Sequence, residues 1–463
     1  MFWQSRSSIE DNHTFLVDDQ GELTYSHLFR LADDAFGERA RGVMAIICDK
    51  NRETVIGYVG ALRAGHVPLL LDPTATTDSL HRLLACYEAE YVFAYPDLVP
   101  PGYAVRGEIG SYVIAQQTKG RAQDDLHPEL AALIPTSGST GDPKAVRLSH
   151  ENLASVTSCI ADYLGLDQGR RAISLLPLQY SYGLSVLNTI MEARGSFVIT
   201  DLSPVTRDFW QIIVDRGVTD FSAVPFIFET IKRMRFSEDV MSTLCCVTQA
   251  GGRLDPKTTR HFLDLFSAQG IAYFTMYGAT EASPRIAYLH PDDAPHRHGS
   301  VGKPIGIGTV TLAEIDPASA EGELVYCGPN VCLGYASTRA DLATGDEFDG
   351  TLRTGDLARL DDDGFIYVTG RLKRFVKIHG VSVNLAYVES QFREADFDLH
   401  AVGRENRIFL VSEIDYGERI LHFAKERFTF HPSVWHTVVV DKIPLTSSAK
   451  VDYAALDAQM AET

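Results

Sequence analysis

Leu133-Ile134-Pro135-Thr136-Ser137-Gly138-Ser139-Thr140-Gly141-Asp142-Pro143-Lys144-Ala145-Val146-Arg147-Leu148-Ser149-His150 is the stretch on which the reading of this chain turns. Ala131 to Ile134 is a short apolar run, the signal of a buried strand. Thr136 to Gly141 is all hydroxyls and glycines, and Lys144 follows. Ser149 is placed to cap a helix whose Leu153, Val156, Ile160 and Leu164 share one face. The pattern predicts a loop set between a strand and a helix. Glycines let backbone approach an anion closely, and successive N–H groups with Ser and Thr hydroxyls make a phosphate cradle. Lys144 adds a positive charge at its end. The Gly-x4-Gly-Lys-Ser/Thr spacing of a Walker loop is absent.

At 463 residues the chain is too long for a single core, so two or more domains are expected. A formal charge of -19 argues against nucleic acid or an anionic membrane as the main partner. A local cluster of Lys and Arg with a metal can still bind ATP. The seven cysteines show no Cys-x-x-Cys pair, and several sit in apolar runs such as Ile46-Ile47-Cys48. They read as small core residues in a reducing, cytoplasmic compartment. No apolar run is long enough to span a bilayer, and Met1 to Arg6 lacks the pattern of a signal peptide.

Upstream of the cradle, helix and strand signals alternate. Thr24 caps an expected helix from Tyr25 to about Arg39, and Val43 to Cys48 is a strand. Glu53 to Ala64 is helical with Gly65 as its stop, and Val67 to Leu71 is the next strand. Thr77–Cys86 and Tyr91–Ala94 repeat the pattern. This is an α/β chain with mostly parallel sheets flanked by helices. Gly102 to Asp125 reads as an irregular connection.

Downstream, chemistry-bearing runs recur. Ile173 to Pro177 reads as a strand and is followed by Tyr180-Ser181-Tyr182-Gly183. Val247 to Arg253 reads as a strand running into Ala250-Gly251-Gly252. Then come Met276-Tyr277-Gly278-Ala279-Thr280-Glu281, with Pro284 and Arg285 just beyond, and Leu352-Arg353-Thr354-Gly355-Asp356. A tyrosine ring can stack on a base, a hydroxyl can bond a phosphate, and a Glu carboxylate is a hard ligand for Mg²⁺. An Asp on a tight Gly turn offers acceptors to two ribose hydroxyls. Asp361-Asp362-Asp363-Gly364 reads as a plain hairpin turn with solvated acids.

The cradle, the Tyr-Gly-Ala-Thr-Glu run, the Arg-Thr-Gly-Asp run and Pro444-Leu445-Thr446-Ser447-Ser448-Ala449-Lys450-Val451-Asp452 occur in the order of the adenylate-forming superfamily, which the chain resembles. That superfamily holds acyl-CoA synthetases, peptide-synthetase adenylation domains and luciferases. The resemblance implies a large ATP- and acid-binding domain over 1–371 and a small mobile α+β domain over 372–463. It implies ATP and AMP binding by Thr136, Ser137, Gly138, Ser139, Thr140, Gly141, Lys144, Gly251, Gly252, Tyr277, Gly278, Thr280, Asp356, Arg371 and Lys450. Catalysis falls to Lys450, Glu281, Thr280 and Lys144, with Glu281 holding Mg²⁺. An acyl pocket is implied at Tyr180, Ser181, Tyr182, Gly183, Phe226, Ala250, Met276, Pro284 and Arg285. Phe228 reads as core. Lys373 is the hinge and Gly380 a wall of the thiol tunnel. Gly328-Pro329-Asn330 through Gly334-Tyr335 is another family landmark and reads as structural. Ala449 stands where the family has Gly.

The activity implied is ATP-dependent conversion of a carboxylic acid to acyl-AMP, then transfer to a thiol. The pocket residues suggest an aromatic or short apolar acid. A free α-amino acid is disfavoured, because its ammonium group finds no carboxylate partner in the stretch. CoA is the first acceptor, a carrier-protein phosphopantetheine the second, and an amine the third. An alternative of another class is a nucleotide-sensing or scaffolding protein on the same fold.

Overall fold

The computed structural model of the protein describes residues 1–4, 12–37, 39–118, 125–136, 144–317, 319–379, 381–404, 406–446 and 450–461, with backbone alone at Lys373, Ser382 and Ala461. Two large sheets carry most of the chain. Among the described residues the first has eight strands, in the order Gly334–Ala336, Lys144–Ser149, Leu130–Thr136, Val67–Leu71, Val43–Ile47, Tyr91–Ala94, Tyr112–Gln117, Tyr103–Ile109. Its central strands Val43–Ile47, Val67–Leu71 and Tyr91–Ala94 pair in parallel, and every residue in them is buried. Continuous apolar sequence is what a strand covered on both faces requires. Among the described residues the second sheet has nine strands, with Arg171–Ile173, Asp220–Ala223, Cys246–Gln249 and Ala272–Tyr277 as its parallel centre.

Helices fill the space between the sheets. Tyr25–Phe36, Arg52–Arg63, His150–Tyr163 and Ser181–Glu192 send Leu28, Tyr58, Leu153 and Leu187 into one core with Phe15 of the second sheet and Ile46 of the first. Thr24 and Ser149 cap their helices as the sequence suggests. Ser149 forms a reciprocal capping box with Asn152.

Several expectations need correction. The cradle does not sit between a strand and a helix. Lys144–Ser149 is itself a strand, antiparallel to Leu130–Thr136, so the described residues on either side of the cradle are two paired strands. Ala145 to Ser149 are all buried in this strand, and Arg147 among them is satisfied by Glu347 and by the carbonyls of Leu333, Tyr335, Thr344 and Gly345. The stretch from Gly102 is not irregular: Tyr103–Ile109 and Tyr112–Gln117 form an antiparallel edge pair. The helix from Tyr25 ends at Phe36, and the strands expected to reach Pro177 and Arg253 end at Ile173 and Gln249. Asp361 and Asp363 are not merely solvated, since both pair with Arg297.

Beyond Ala294 come four antiparallel strands, Thr309–Ala313, Gly322–Cys327, Thr351–Leu360 and Ile366–Arg371. The remaining residues build the hairpin Phe375–Ile378 with Val381–Asn384, the three-stranded sheet His400–Arg404, Arg407–Ser412 and Trp435–Val439, and helices Leu385–Glu394, Glu418–Arg427 and Tyr453–Ala461. Their apolar side chains, among them Val388, Phe392, Leu410 and Trp435, form a separate core. Among the described residues no helix is long and apolar enough to cross a membrane.

Candidate active site

The site is assembled on the loop that leaves strand Ala272–Tyr277. Gly278 opens it, and no other residue fits there: a Cβ would lie 1.7 Å from the carbonyl oxygen of Pro284. One helical turn, Thr280–Ala282, follows, and Ser283 takes a left-handed conformation. Asn330, fully buried, holds this loop shut. Its side-chain amide donates to the carbonyls of Ala282 at 2.6 Å and Arg285 at 2.8 Å, and its backbone carbonyl accepts from the Ser283 hydroxyl at 2.8 Å. The Glu281 carbonyl accepts from the Cys332 N–H. The landmark at Gly328–Asn330 is therefore the clamp of the Glu281 loop.

Glu281 is aimed by Tyr335. The Tyr335 hydroxyl donates to Glu281 Oε1 at 2.8 Å, and the Lys144 ammonium lies 3.4 Å from the centroid of the same ring. Burial pushes the Tyr335 phenol up, and the Glu281 carboxylate adds to the rise, so the hydroxyl stays a donor. One aromatic side chain thus ties the lysine at the cradle's end to the carboxylate of the Thr-Glu run. Thr280 Oγ1 lies 3.0 Å from Ser181 Oγ, which joins the Thr-Glu run to the Tyr180-Ser181-Tyr182-Gly183 run.

Asp356 follows Gly355, whose φ of +70° needs no side chain to strain. It is buried and accepts from the Tyr277 hydroxyl at 2.5 Å and from Arg371 Nε at 2.7 Å. Burial, then the Asp356 charge, raises the Tyr277 phenol well above its ordinary value. Tyr277 and Asp356 are therefore one hydrogen-bonded unit, with acceptor positions left on the carboxylate.

Lys450 reaches the same cleft from the far end of the chain. Its loop is closed by the bridge between Leu445 and Val451, by Thr446 N–H donating to the Lys450 carbonyl at 2.7 Å, and by Lys450 N–H donating to Thr446 Oγ1 at 3.2 Å. The ammonium stands 5.0 Å from the Tyr180 ring centroid. Gly251 takes a φ of +88°, and a Cβ there would crowd the Tyr180 hydroxyl at 3.0 Å and Val224 at 3.1 Å. Gly252 is exposed beside Pro225. The Lys450 pKa falls to about 8, first through desolvation in the cleft and then through Arg371, with Asp356 and Glu281 opposing the fall. Solvent still reaches the side chain.

Tyr182, Met276 and Arg285 line a cavity of about 20 Å³, room for about one water. Tyr180 packs against the cluster of Tyr182, Ala250 and Met276, Ser181 is buried, and Pro284 is buried in the loop. Of the residues expected in the acyl pocket, Tyr180, Ser181, Gly183, Phe226, Ala250 and Pro284 do not line this cavity. Phe226 is 44% exposed and does not line the cavity, whereas Phe228 is core. The segment Pro225–Ile231 is a helix, and residues two apart on a helix point about 200° apart. Gly183 is a packing glycine: a Cβ would lie 2.2 Å from the Pro177 carbonyl.

Thr136 lies at the end of its strand, with Oγ1 donating to the Lys144 carbonyl at 3.3 Å. Ser137, Gly138, Ser139, Thr140, Gly141, Ala449, Gly380 and the Lys373 side chain lie outside the described residues. The backbone of Lys373 belongs to the short turn Leu372–Arg374. Sequence reading passed over Tyr335, Asn330 and Arg147 as functional supports. The available signal was the Gly328 to Tyr335 landmark, read only as structure.

Glu281 also tests the fit of the implied Mg²⁺. Its second carboxylate oxygen has no hydrogen bond among the described residues, and no group of three His, Cys, Asp or Glu among them could cage a metal. A single hard oxygen donor fits an ion that keeps water and phosphate oxygens as its other ligands.

Comparison with known proteins adds three findings. Residues 3–336 match the model of the family described as AMP-binding enzyme. A 2-succinylbenzoate–CoA ligase of Bacillus cytotoxicus is 28% identical over 440 residues, covering 90% of this chain and 88% of that one, and an oxalate–CoA ligase of Arabidopsis thaliana is 27% identical over 95% and 94%. The fold is shared with the O-succinylbenzoate coenzyme A synthetase of Bacillus subtilis solved with ATP and magnesium ion, at a TM-score of 0.78 and 23% identity over 97% of this chain and 98% of that one.

Proposed function

The chain belongs to the AMP-binding enzyme family, and from that premise we propose how its residues run an AMP-forming acid–thiol ligase. An oxygen of the acid's carboxylate attacks the α-phosphorus of ATP. A P–O bond forms, the α–β anhydride bond breaks, and pyrophosphate leaves. The thiol sulfur of CoA then attacks the acyl carbon of the adenylate. The C–S bond forms, the mixed-anhydride C–O bond breaks, AMP leaves, and the thiol proton passes to solvent.

The observation that carries this reading is the convergence of Lys450, Glu281 and Asp356 on one cleft, with Lys144 tied to Glu281 through Tyr335. Little covalent work falls to the protein in such a transfer; positioning and charge neutralisation do most of it. Lys144 and Thr136 flank the β,γ-phosphates. Thr280 bonds the α-phosphate. Tyr277 lies against adenine beside Gly251, and Asp356 with Arg371 takes the ribose. Lys450 bridges the attacking carboxylate and the phosphate oxygens. Glu281 would hold Mg²⁺, which when bound offsets phosphate charge. We place the domain boundary at Arg371 and Leu372, supported by the separate core that follows. Turning about Lys373 withdraws Lys450 for the thiol step.

The relatives named as CoA ligases support CoA as acceptor over a carrier protein's phosphopantetheine. A free α-amino acid remains disfavoured. Asp220 is an acid at the cavity, but Arg170 holds both its oxygens at 2.9 and 2.7 Å. Acid-dependent exchange of labelled pyrophosphate into ATP, run over benzoates, cinnamates, fatty acids and amino acids, tests the first step. Thioester formation with CoA against a phosphopantetheinylated carrier tests the second. No exchange with any acid would sink the reading.

A further inference from the structure

The cavity beneath Tyr182 holds a charge that the mechanism leaves unused. Arg285 is only 2% exposed. Its backbone is pinned, with N–H donating to the Ala282 carbonyl at 2.9 Å and its own carbonyl accepting from Asn330. Its guanidinium lies 5.2 Å from the Tyr182 ring centroid and beside the Tyr163 hydroxyl. Its Nε is buried with no hydrogen-bond partner, and no carboxylate among the described residues pairs with the side chain. A guanidinium cannot shed its proton, and a buried charge without a partner is costly. Asp220 touches the same cavity but is held by Arg170 and by the Thr219 hydroxyl, so the uncompensated charge there is positive. Val186, Phe221 and Met276 make the rest of the wall largely apolar.

Resting on the adenylation reading above, we propose that the acid substrate carries a second oxyanion, a distal carboxylate or its equivalent, which Arg285 binds in this cavity. The reacting carboxylate then lies at Lys450 and Thr280, a short apolar or aromatic spacer passes Tyr182 and Met276, and the cavity of about 20 Å³ widens to let the distal group meet the unpartnered Nε. A charged, desolvated pairing of this kind discriminates strongly, because a neutral tail leaves the guanidinium unpaired.

The test uses pyrophosphate exchange with succinate, glutarate and phthalate, each set against its monoamide. The wild-type enzyme should show kcat/KM for at least one diacid on the order of 10²-fold above its monoamide. Arg285→Gln should bring that diacid down to the level of the amide, and Arg285→Lys should recover part of the preference. Protection of the thermal melt by ATP verifies that each variant is folded. Equal use of diacid and amide by the wild type, or an unchanged preference in R285Q, would overturn the proposal while leaving adenylation intact. Exchange with neither kind of acid, nor with any monoacid, would overturn the adenylation reading and this one with it.

Discussion

Tyr335→Phe removes one hydroxyl and leaves the ring. That hydroxyl donates to Glu281 Oε1 at 2.8 Å, and a hydrogen bond to a charged group is worth roughly 1.5–3 kcal/mol. If Glu281 is aimed at the phosphates by this bond, its loss lowers kcat/KM for ATP by about 10- to 100-fold. The ring keeps its edge contact with Phe348 at 5.6 Å, and the Lys144 ammonium keeps its seat 3.4 Å from the centroid. Tyr335→Leu takes the ring as well and adds the cation–π share, roughly 0.5–2 kcal/mol. A double-mutant cycle with Lys144→Met separates the two effects: coupling between positions 144 and 335 survives in the phenylalanine background and disappears in the leucine background. The assay is pyrophosphate exchange at varied ATP and Mg²⁺, with thermal melts in parallel. Tyr335→Phe should show the lower kcat/KM and a raised Mg²⁺ requirement with little change in melting. Wild-type values for both would mean that Glu281 keeps its aim without the hydroxyl, and the reasoning would fail.

Lys450→Ala should lose adenylation by on the order of 10²- to 10³-fold while retaining thioester formation from supplied acyl-AMP, read as separate half-reactions; equal losses in both would contradict the division of labour. The lysine works charged, and desolvation has lowered its pKa to about 8. Its charged fraction, and kcat/KM for adenylation with it, should therefore fall about tenfold per unit as pH rises beyond that value. Lys450→Arg should abolish that alkaline limb, because a guanidinium does not titrate there, and a limb persisting in the arginine variant would assign it to another group. Gly278→Ala puts a Cβ 1.7 Å from the Pro284 carbonyl, so the Glu281 loop must rebuild. The expected result is a lower melting temperature together with lost exchange activity, and a variant with wild-type melting and turnover would show that the loop yields cheaply.

What the sequence alone determined is whatever a short window can encode. Capping at Thr24 and Ser149, the apolar runs of the central strands, and the glycines at 278 and 355 all express local chemistry, so they were legible before any coordinates. The order of the motifs likewise implied one nucleotide site. The phase of a short apolar segment was less legible. Phe226 and Phe228 share a side in a strand and part company in a helix, and Pro225–Ile231 is a helix because packing on the second sheet chose it. Tertiary structure alone decided the contacts that join distant segments. Tyr335 meets Glu281 across 54 residues of sequence, Asn330 clamps a loop it does not belong to, and Lys450 enters the cleft from the last sheet-and-helix unit. The unpartnered Nε of Arg285 is of the same kind, since among the described residues none of the distant segments packed around it supplies that atom with an acceptor. Such contacts depend on the closure of the whole chain around two sheets, and no local run of residues carries that information.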